Sequence, residues 1–152
     1  MVGLTDVQMV KFSKDLELPL EGVFLRDELP TNPKANAFYI FNLDTSTGDG
    51  THWTCAITTD TDAVYFDSFG FPPPTEIVSF LKKGFTRVGW NSWVLQPIKS
   101  TTCGYWVLVF GTWVKQVPGP VAAVANRFVL LFGSDFDTND RAMKRMFTEA
   151  MY

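Results

Sequence analysis

The chain has 152 residues, of which 46% are hydrophobic and 19% are charged, as in an ordinary globular domain. A chain of this length can bury roughly 70% of its unfolded surface, so it needs neither disulfides nor a metal to fold. The net charge of −3, with no run of Lys or Arg, argues against binding to nucleic acid phosphates as its main task.

The predicted elements begin with a helix near the N-terminus, where Thr5 and Gln8 have the spacing of a capping box. A loop with two prolines follows over residues 29–33. Segments rich in aromatic and β-branched residues then predict three strands, separated by polar turns that include residues 44–50. These strands cover residues 37–43, 52–58 and 63–67. Their connections are too short for parallel crossovers, so we expect an antiparallel meander.

The second half of the chain is predicted to be mostly helical. The Gly- and Pro-containing segment 70–74 ends the strand pattern, and Thr75 is predicted to cap a helix over 76–83, with Gly84 just beyond its end. A short strand is predicted at 93–95. Three further helices are predicted over 103–114, 122–131 and 139–151, the last of them capped by Thr138. The fold class is therefore α+β: one domain over residues 1–152, with a central mixed or antiparallel sheet flanked by helices.

Cysteine content and targeting signals restrict the class further. Cys55 and Cys103, with His52 as the single histidine, are too few for a disulfide framework or a zinc site, so we expect no metal and no other cofactor. No apolar stretch approaches the about 20 residues that span a bilayer. The first residues carry no secretion or myristoylation signal. We expect an intracellular protein without a membrane partner.

Four polar residues at the ends of the predicted elements suggest chemistry: His52, Asp67, Gln96 and Cys103. His52 and Asp67 begin one predicted strand and end its neighbour, so they can lie side by side as a base and its orienting group. If the segment after Cys103 is a helix, its dipole and a cationic His52 would favour the thiolate, and Gly104 would leave the sulfur open to a carbonyl. Gln96, seven positions before Cys103, could complete an oxyanion hole with the Cys103 N–H.

Each of these residues also has an ordinary structural interpretation. A lone cysteine is usually a buried thiol, as we expect for Cys55, and Asp67 could simply cap a turn. The order His, Asp, Cys excludes papain-type enzymes, which place the cysteine first. The residues around Cys103 do not match the caspase signature, and the predicted strands are too few for a chymotrypsin-like double barrel.

Three segments of the chain form a more specific combination. They are Gly50-Thr51-His52-Trp53, Tyr65-Phe66-Asp67-Ser68-Phe69-Gly70-Phe71, and Gln96 followed seven positions later by Cys103-Gly104. This combination resembles the adenovirus endopeptidase (adenain) family, within the superfamily of ubiquitin-like-protein proteases. The resemblance covers roughly residues 5–113 and implies a compact version of that permuted papain-like architecture.

The resemblance implies a role for each matching residue. His52 would be the base, Asp67 its orienting group, Cys103 the nucleophile and Gln96 the oxyanion-hole donor. Trp53 would cover a narrow channel over the substrate backbone, so that only Gly or another small residue fits beside the scissile bond. With Trp53, Gly104 is expected to contact the substrate.

The expected substrate is a protein or peptide. The first hypothesis is a viral or virus-derived maturation protease that processes capsid or other structural precursors in the host cytoplasm or nucleus, or inside the virion. A deconjugating protease for a ubiquitin-like modifier is the second, and an inactive interaction domain is the third. Adenain is activated by DNA and by a disulfide-linked peptide. The sequence pI of about 5.0 argues against DNA here, and Cys55 does not match the peptide-linking position. We expect a monomer.

Overall fold

A mixed sheet forms the centre of the fold. The computed structural model describes residues 3–44, 52–97 and 100–152, and within them the sheet has five strands. The strands are β1 (Leu20–Leu25), β2 (Phe38–Asn42), β3 (Trp53–Thr58), β4 (Asp62–Phe66) and β5 (Arg87–Trp90). They lie in the order of the chain. β2, β3 and β4 pair antiparallel, whereas β1 and β5 run parallel to their neighbours. The α+β class and the central meander are confirmed.

Helices cover both faces of this sheet. They are α1 (Asp6–Asp15), α2 (Thr75–Lys82), α3 (Cys103–Gln116), α4 (Val121–Val129) and α5 (Phe136–Met151). Alternate residues of β2 point to opposite faces. Phe38 and Ile40 pack in the cluster that contains residues of α1, α3, α4 and α5, whereas Tyr39 and Phe41 pack with α2. The site-bearing strands are therefore buried between two helical layers.

An aromatic cluster fixes the position of α3 against the sheet. Phe110 of α3 lies 4.3 Å, centroid to centroid, from Phe66 of β4 and 5.4 Å from Phe128 of α4. Trp106, one turn after Cys103, is fully buried and lies 4.8 Å from Phe132. The predicted helix at 103–114 is confirmed, because burial on every side outweighs the lower helix propensity of its β-branched residues.

Two edge strands were not predicted. β1 contains Glu21 and Gly22, and most of β5 is exposed, so neither has the apolar alternation that indicates a strand. The prediction of a strand at 93–95 was wrong. Those residues lead to Gln96 in an irregular loop, and the Leu95 N–H donates to the carbonyl of Ser68 at 2.9 Å.

The helix starts were predicted with mixed success. The capping box before α1 is present. The N-cap of α2 is Pro74, so Thr75 is the first helical residue and does not cap it. The N-cap of α5 is Asp135, whose carboxylate accepts from the Thr138 N–H, so the Thr138 cap was also wrong. In both helices the threonine that was predicted as the cap, Thr75 or Thr138, lies within the first turn and not at the N-cap position.

Some predictions fall outside the described residues. These include residues 45–50 of the predicted turn, and with them Gly50 and Thr51 of the first matching segment. In the part of the chain that the structure describes, no helix combines the length and apolar character that crossing a bilayer requires.

Candidate active site

The base and its orienting group meet just beyond the β3–β4 ladder. His52 directly precedes β3 and Asp67 directly follows β4, while the ladder ends at the pair Cys55–Phe66. His52 and Asp67 therefore lie beyond the end of the ladder. They are not cross-strand neighbours within it, contrary to the expectation from the sequence. Their side chains still converge: Nε2 of His52 lies 2.6 Å from Oδ1 of Asp67, and both residues are buried.

Several contacts hold this pair in place. Oδ1 of Asp67 also accepts the backbone N–H of Phe69 at 2.8 Å, and the Phe69 ring stacks on His52 with centroids 3.9 Å apart. Asn91 accepts the Asp67 N–H at 3.0 Å and donates to the Asp67 carbonyl at 2.6 Å. Sequence reasoning missed Asn91, since no local pattern connects it with Asp67. Phe69 was part of a matching segment but received no role.

Cys103 is the first residue of α3 and lies beside the same histidine. Its Sγ accepts the backbone N–H of Trp53 at 3.5 Å. Burial lowers the pKa of His52, but the hydrogen bond and negative charge of Asp67, together with the nearby Cys103, more than offset it and raise the pKa to about 9. The imidazole is therefore cationic at neutral pH. Because Asp67 engages Nε2, Nδ1 is the ring nitrogen available to Cys103.

The N-terminus of α3 has no side-chain cap. Thr102 is its N-cap residue, but the Thr102 hydroxyl donates to Asp140 of α5 at 2.7 Å instead of accepting an α3 N–H. The positive end of the helix dipole thus adds to the charge of His52 next to Cys103. Both effects would stabilise a negative charge on a substrate oxygen bound there.

Gln96 joins this network through Ser68. Its Oε1 accepts the Ser68 hydroxyl at 2.5 Å, and Ser68 directly follows Asp67. Gln96 is fully buried, and its Nε2 has no hydrogen-bond partner among the described residues. Within those residues no hydrogen bond joins Gln96 to Cys103. The structure therefore bonds His52 to Asp67, places Cys103 in the same cleft wall as His52, and links Gln96 to Ser68, the residue after Asp67.

A cleft of about 670 Å³ contains His52 and Cys103 in its wall. Trp53 lines it, and the indole N–H donates to the carbonyl of Leu4 at 2.9 Å, which joins the N-terminal segment to β3. The C-terminal half of β1 forms another part of the wall. The cleft thus reaches from the candidate nucleophile along an edge strand.

Gly104 is the second residue of α3 and lies against the N-terminal part of the chain. It is not among the residues that line this cleft, and a Cβ there would lie 3.0 Å from Sδ of Met9 and 3.1 Å from Cδ1 of Leu4. The small residue therefore allows the N-terminal segment to approach α3. That Gly104 contacts substrate stays a prediction, and the structure shows only that its Cα lies against Leu4 and Met9 of the core.

The remaining candidate groups are the second cysteine, Cys55, and any side chains that could bind a metal ion. Cys55 lies in β3 and is fully buried, and burial raises the pKa of its thiol. Among the described residues, no group of three or more His, Cys, Asp or Glu side chains could hold a metal ion.

Comparison with known proteins supports the fold. No protein-family model matches the chain, and no curated protein sequence matches it significantly. Among solved structures, the crystal structure of the selenomethionine ASFV pS273R protease matches with a TM-score of 0.50 and 19% sequence identity. The fold resembles that of a ubiquitin-like protease. The match covers 99% of this chain and 53% of the other, so the chain spans about half the length of that protein. At this identity the match shows a shared fold, and it does not single out adenain-like proteins.

Proposed function

We propose that this chain is a cysteine endopeptidase with Cys103 as nucleophile. The observation that carries the proposal is the contiguous buried network in which Asp67 bonds His52 and His52 adjoins Cys103, at the wall of a cleft. A buried thiol with a purely structural role needs neither a cationic imidazole nor an orienting carboxylate. The fold likeness to a structure named as a protease supports the same proposal.

The geometry supports a sequence of proton movements. The Cys103 thiolate attacks the peptide carbonyl carbon, and the negative charge passes to the carbonyl oxygen, where the Cys103 N–H and Nε2 of Gln96 would donate to it. His52 gives the Nδ1 proton to the leaving amine as the C–N bond breaks. Neutral His52 then removes a proton from water, which attacks the thioester and releases Cys103. Asp67 keeps the ring oriented and stabilises its charge in both steps.

The proposed substrate is a polypeptide with a small residue beside the scissile bond. Trp53 and His52 lie at the same cleft wall, which supports close contact between the indole and an extended substrate. The viral origin named for the ASFV protease favours a capsid or other structural precursor over a ubiquitin-like conjugate as the natural target. The proposed chemistry needs no metal or cofactor.

Substitutions at the four site residues test the proposal by peptide cleavage. Cys103→Ala should abolish cleavage, and His52→Ala should nearly do so. Asp67→Asn should retain part of the rate, since an amide oxygen can still accept from the ring without stabilising its charge. Gln96→Ala should lower the rate by on the order of 100-fold, the usual loss for one oxyanion donor.

Cys55→Ala is the matched control for the nucleophile, because it removes a thiol that is buried away from the cleft. It should leave the rate per folded molecule unchanged. Cleavage that survives Cys103→Ala, or an unchanged rate in both Asp67→Asn and Gln96→Ala, would reject the assigned roles.

A further inference from the structure

We infer that Ser68 is a positioning residue for the oxyanion donor: its hydroxyl holds the Gln96 amide so that Nε2 remains the free end. The inference rests on the proposed function, because it assigns how Gln96 performs its role there. Neither the sequence patterns nor the fold likeness gives Ser68 a role.

Three hydrogen bonds connect Ser68 to the segment that carries Gln96. The Ser68 hydroxyl donates to Oε1 of Gln96 at 2.5 Å. The Ser68 carbonyl accepts the backbone N–H of Leu95 at 2.9 Å and that of Gln96 at 3.3 Å. Ser68 and Gln96 are both fully buried, so water does not compete for these bonds. One residue therefore fixes both the backbone and the side chain of Gln96.

The hydroxyl also selects which end of the amide it binds. A serine hydroxyl has one hydrogen to donate, and a buried donor must find an acceptor. If the amide were turned by 180°, Oγ would accept from Nε2, and the hydroxyl hydrogen and Oε1 would both lose their partner. The observed orientation satisfies Oγ and Oε1 together. It leaves the two Nε2 hydrogens without a partner among the described residues.

This selection matters because the two ends of the amide have opposite effects on an oxyanion. Nε2 donates hydrogen bonds, whereas Oε1 in the same place would repel a developing negative charge. Ser68 follows Asp67, so two consecutive residues after β4 act on the two halves of the reaction. Asp67 orients the base, and Ser68 orients the oxyanion donor.

The decisive experiment is a double-mutant cycle on peptide cleavage with Ser68→Ala and Gln96→Ala. Ser68→Ala should lower kcat by between roughly 5-fold and 100-fold, since it loses the orientation of the donor but not the donor itself. KM should be unchanged. In the Gln96→Ala background, Ser68→Ala should cause no further loss, because its effect passes through Gln96.

Two further measurements separate this role from a structural one. A peptide aldehyde forms a tetrahedral adduct with an oxyanion, so Ser68→Ala should weaken it by the same factor as kcat. The rate of Cys103 alkylation by iodoacetamide involves no oxyanion and should stay unchanged. Ser13→Ala, at an equally buried serine of α1, is the matched control and should change neither. If Ser68→Ala does not fold, Ser68→Cys retains a weak donor and should lie between the parent and Gln96→Ala.

The outcomes are distinguishable. An unchanged kcat in Ser68→Ala, or equal losses from Ser68→Ala with and without Gln96, would overturn the inference while leaving the peptidase proposal intact. A parent chain that shows no Cys103-dependent cleavage would overturn the proposed function and this inference with it.

Discussion

The properties of His52 come from neighbours on both sides of its ring. Asp67 accepts from Nε2, Phe69 stacks on the ring face, and Cys103 lies in the same cleft wall. A buried imidazole with no partner would lose its proton below neutral pH. Here Asp67 and Cys103 reverse that tendency, so the charge state of His52 depends on these two neighbours.

The first prediction concerns the pH dependence of stability. The pKa of His52 is about 9 in the folded chain and about 6.5 when unfolded. The stabilisation is fully present below about pH 6.5. Between pH 6.5 and 9 folded His52 holds a proton that unfolded His52 lacks, so the contribution of His52 to stability should fall by up to about 1.4 kcal/mol per pH unit. Urea denaturation across this range measures it.

His52→Gln is the control for this prediction, because it removes the titrating group while keeping a polar side chain. The variant should lose most of the slope between pH 6.5 and 9. A variant with the same slope as the parent would show that another group causes the dependence.

The second prediction concerns the two cysteines. Cys103 should react with iodoacetamide at about pH 6 much faster than Cys55, because thiolate is the reactive form and His52 supplies a positive charge beside Cys103. Cys55 is fully buried, and burial raises the pKa of its thiol. Peptide mapping after labelling measures both rates. Equal labelling, or labelling only after denaturation, would contradict a reactive Cys103.

Among the secondary-structure elements, the turn after β4 has the strongest influence on the site. It carries Asp67, Ser68 and Phe69 in succession, and the Gly70 N–H closes it by donating to the Asp67 carbonyl at 2.9 Å. Gly70 has a φ of +77°, a conformation that residues with a side chain rarely adopt. The conformation of this short turn therefore sets the direction of three site side chains.

The third prediction follows from this turn. A Cβ at Gly70 would lie 2.9 Å from the backbone carbonyl of Trp93, which cannot move as a side-chain end can. Gly70→Ala should lower the free energy of unfolding by about 1–3 kcal/mol and reduce the cleavage rate, because the turn must shift Asp67 and Ser68. Gly133→Ala is the control, since a Cβ there meets nothing within 4 Å. A parent-like Gly70→Ala in both measurements would contradict the role of the turn.

The whole molecule brings the site together from distant parts of the chain. Residues of β3, the turn after β4 and the start of α3 meet, and the aromatic packing of α3 on β4 holds them in register. The N-terminal segment then adds a wall to the cleft through the bond between Leu4 and Trp53. The shape of the cleft is therefore a property of the assembled fold.

The fourth prediction concerns substrate shape. If the Trp53 indole covers the substrate backbone, the parent should cleave beside Gly, less well beside Ala or Ser, and not after Gly→Val at that position. Trp53→Ala should widen this tolerance and lower the rate, because the ring also holds the peptide for attack. A peptide library measures both. Trp93→Ala, an exposed tryptophan outside the cleft wall, should keep the parent profile. Efficient parent cleavage between two bulky residues would show that no such channel exists.

Several features were accessible from the sequence because they depend on short-range rules. The capping box of α1 and the apolar segment of α3 are local patterns, and the short connections of the meander exclude a parallel crossover. The four candidate site residues were also visible as residue types at element ends. The structure bonds His52 to Asp67 and Gln96 to Ser68, and it places Cys103 in the same cleft wall as His52, which spacing alone could only suggest.

The remaining features depended on contacts between residues far apart in sequence. β1 and β5 exist because a neighbouring strand supplies their hydrogen bonds, not because of an apolar pattern of their own. Asn91 reaches Asp67 across 24 positions, and Ser68 reaches Gln96 across 28. Sequence by itself determined which groups were available for chemistry and which segments could be helices or strands, since these follow from local backbone preferences. The tertiary structure decided which atoms are paired and which stay free, because that depends on packing between distant segments.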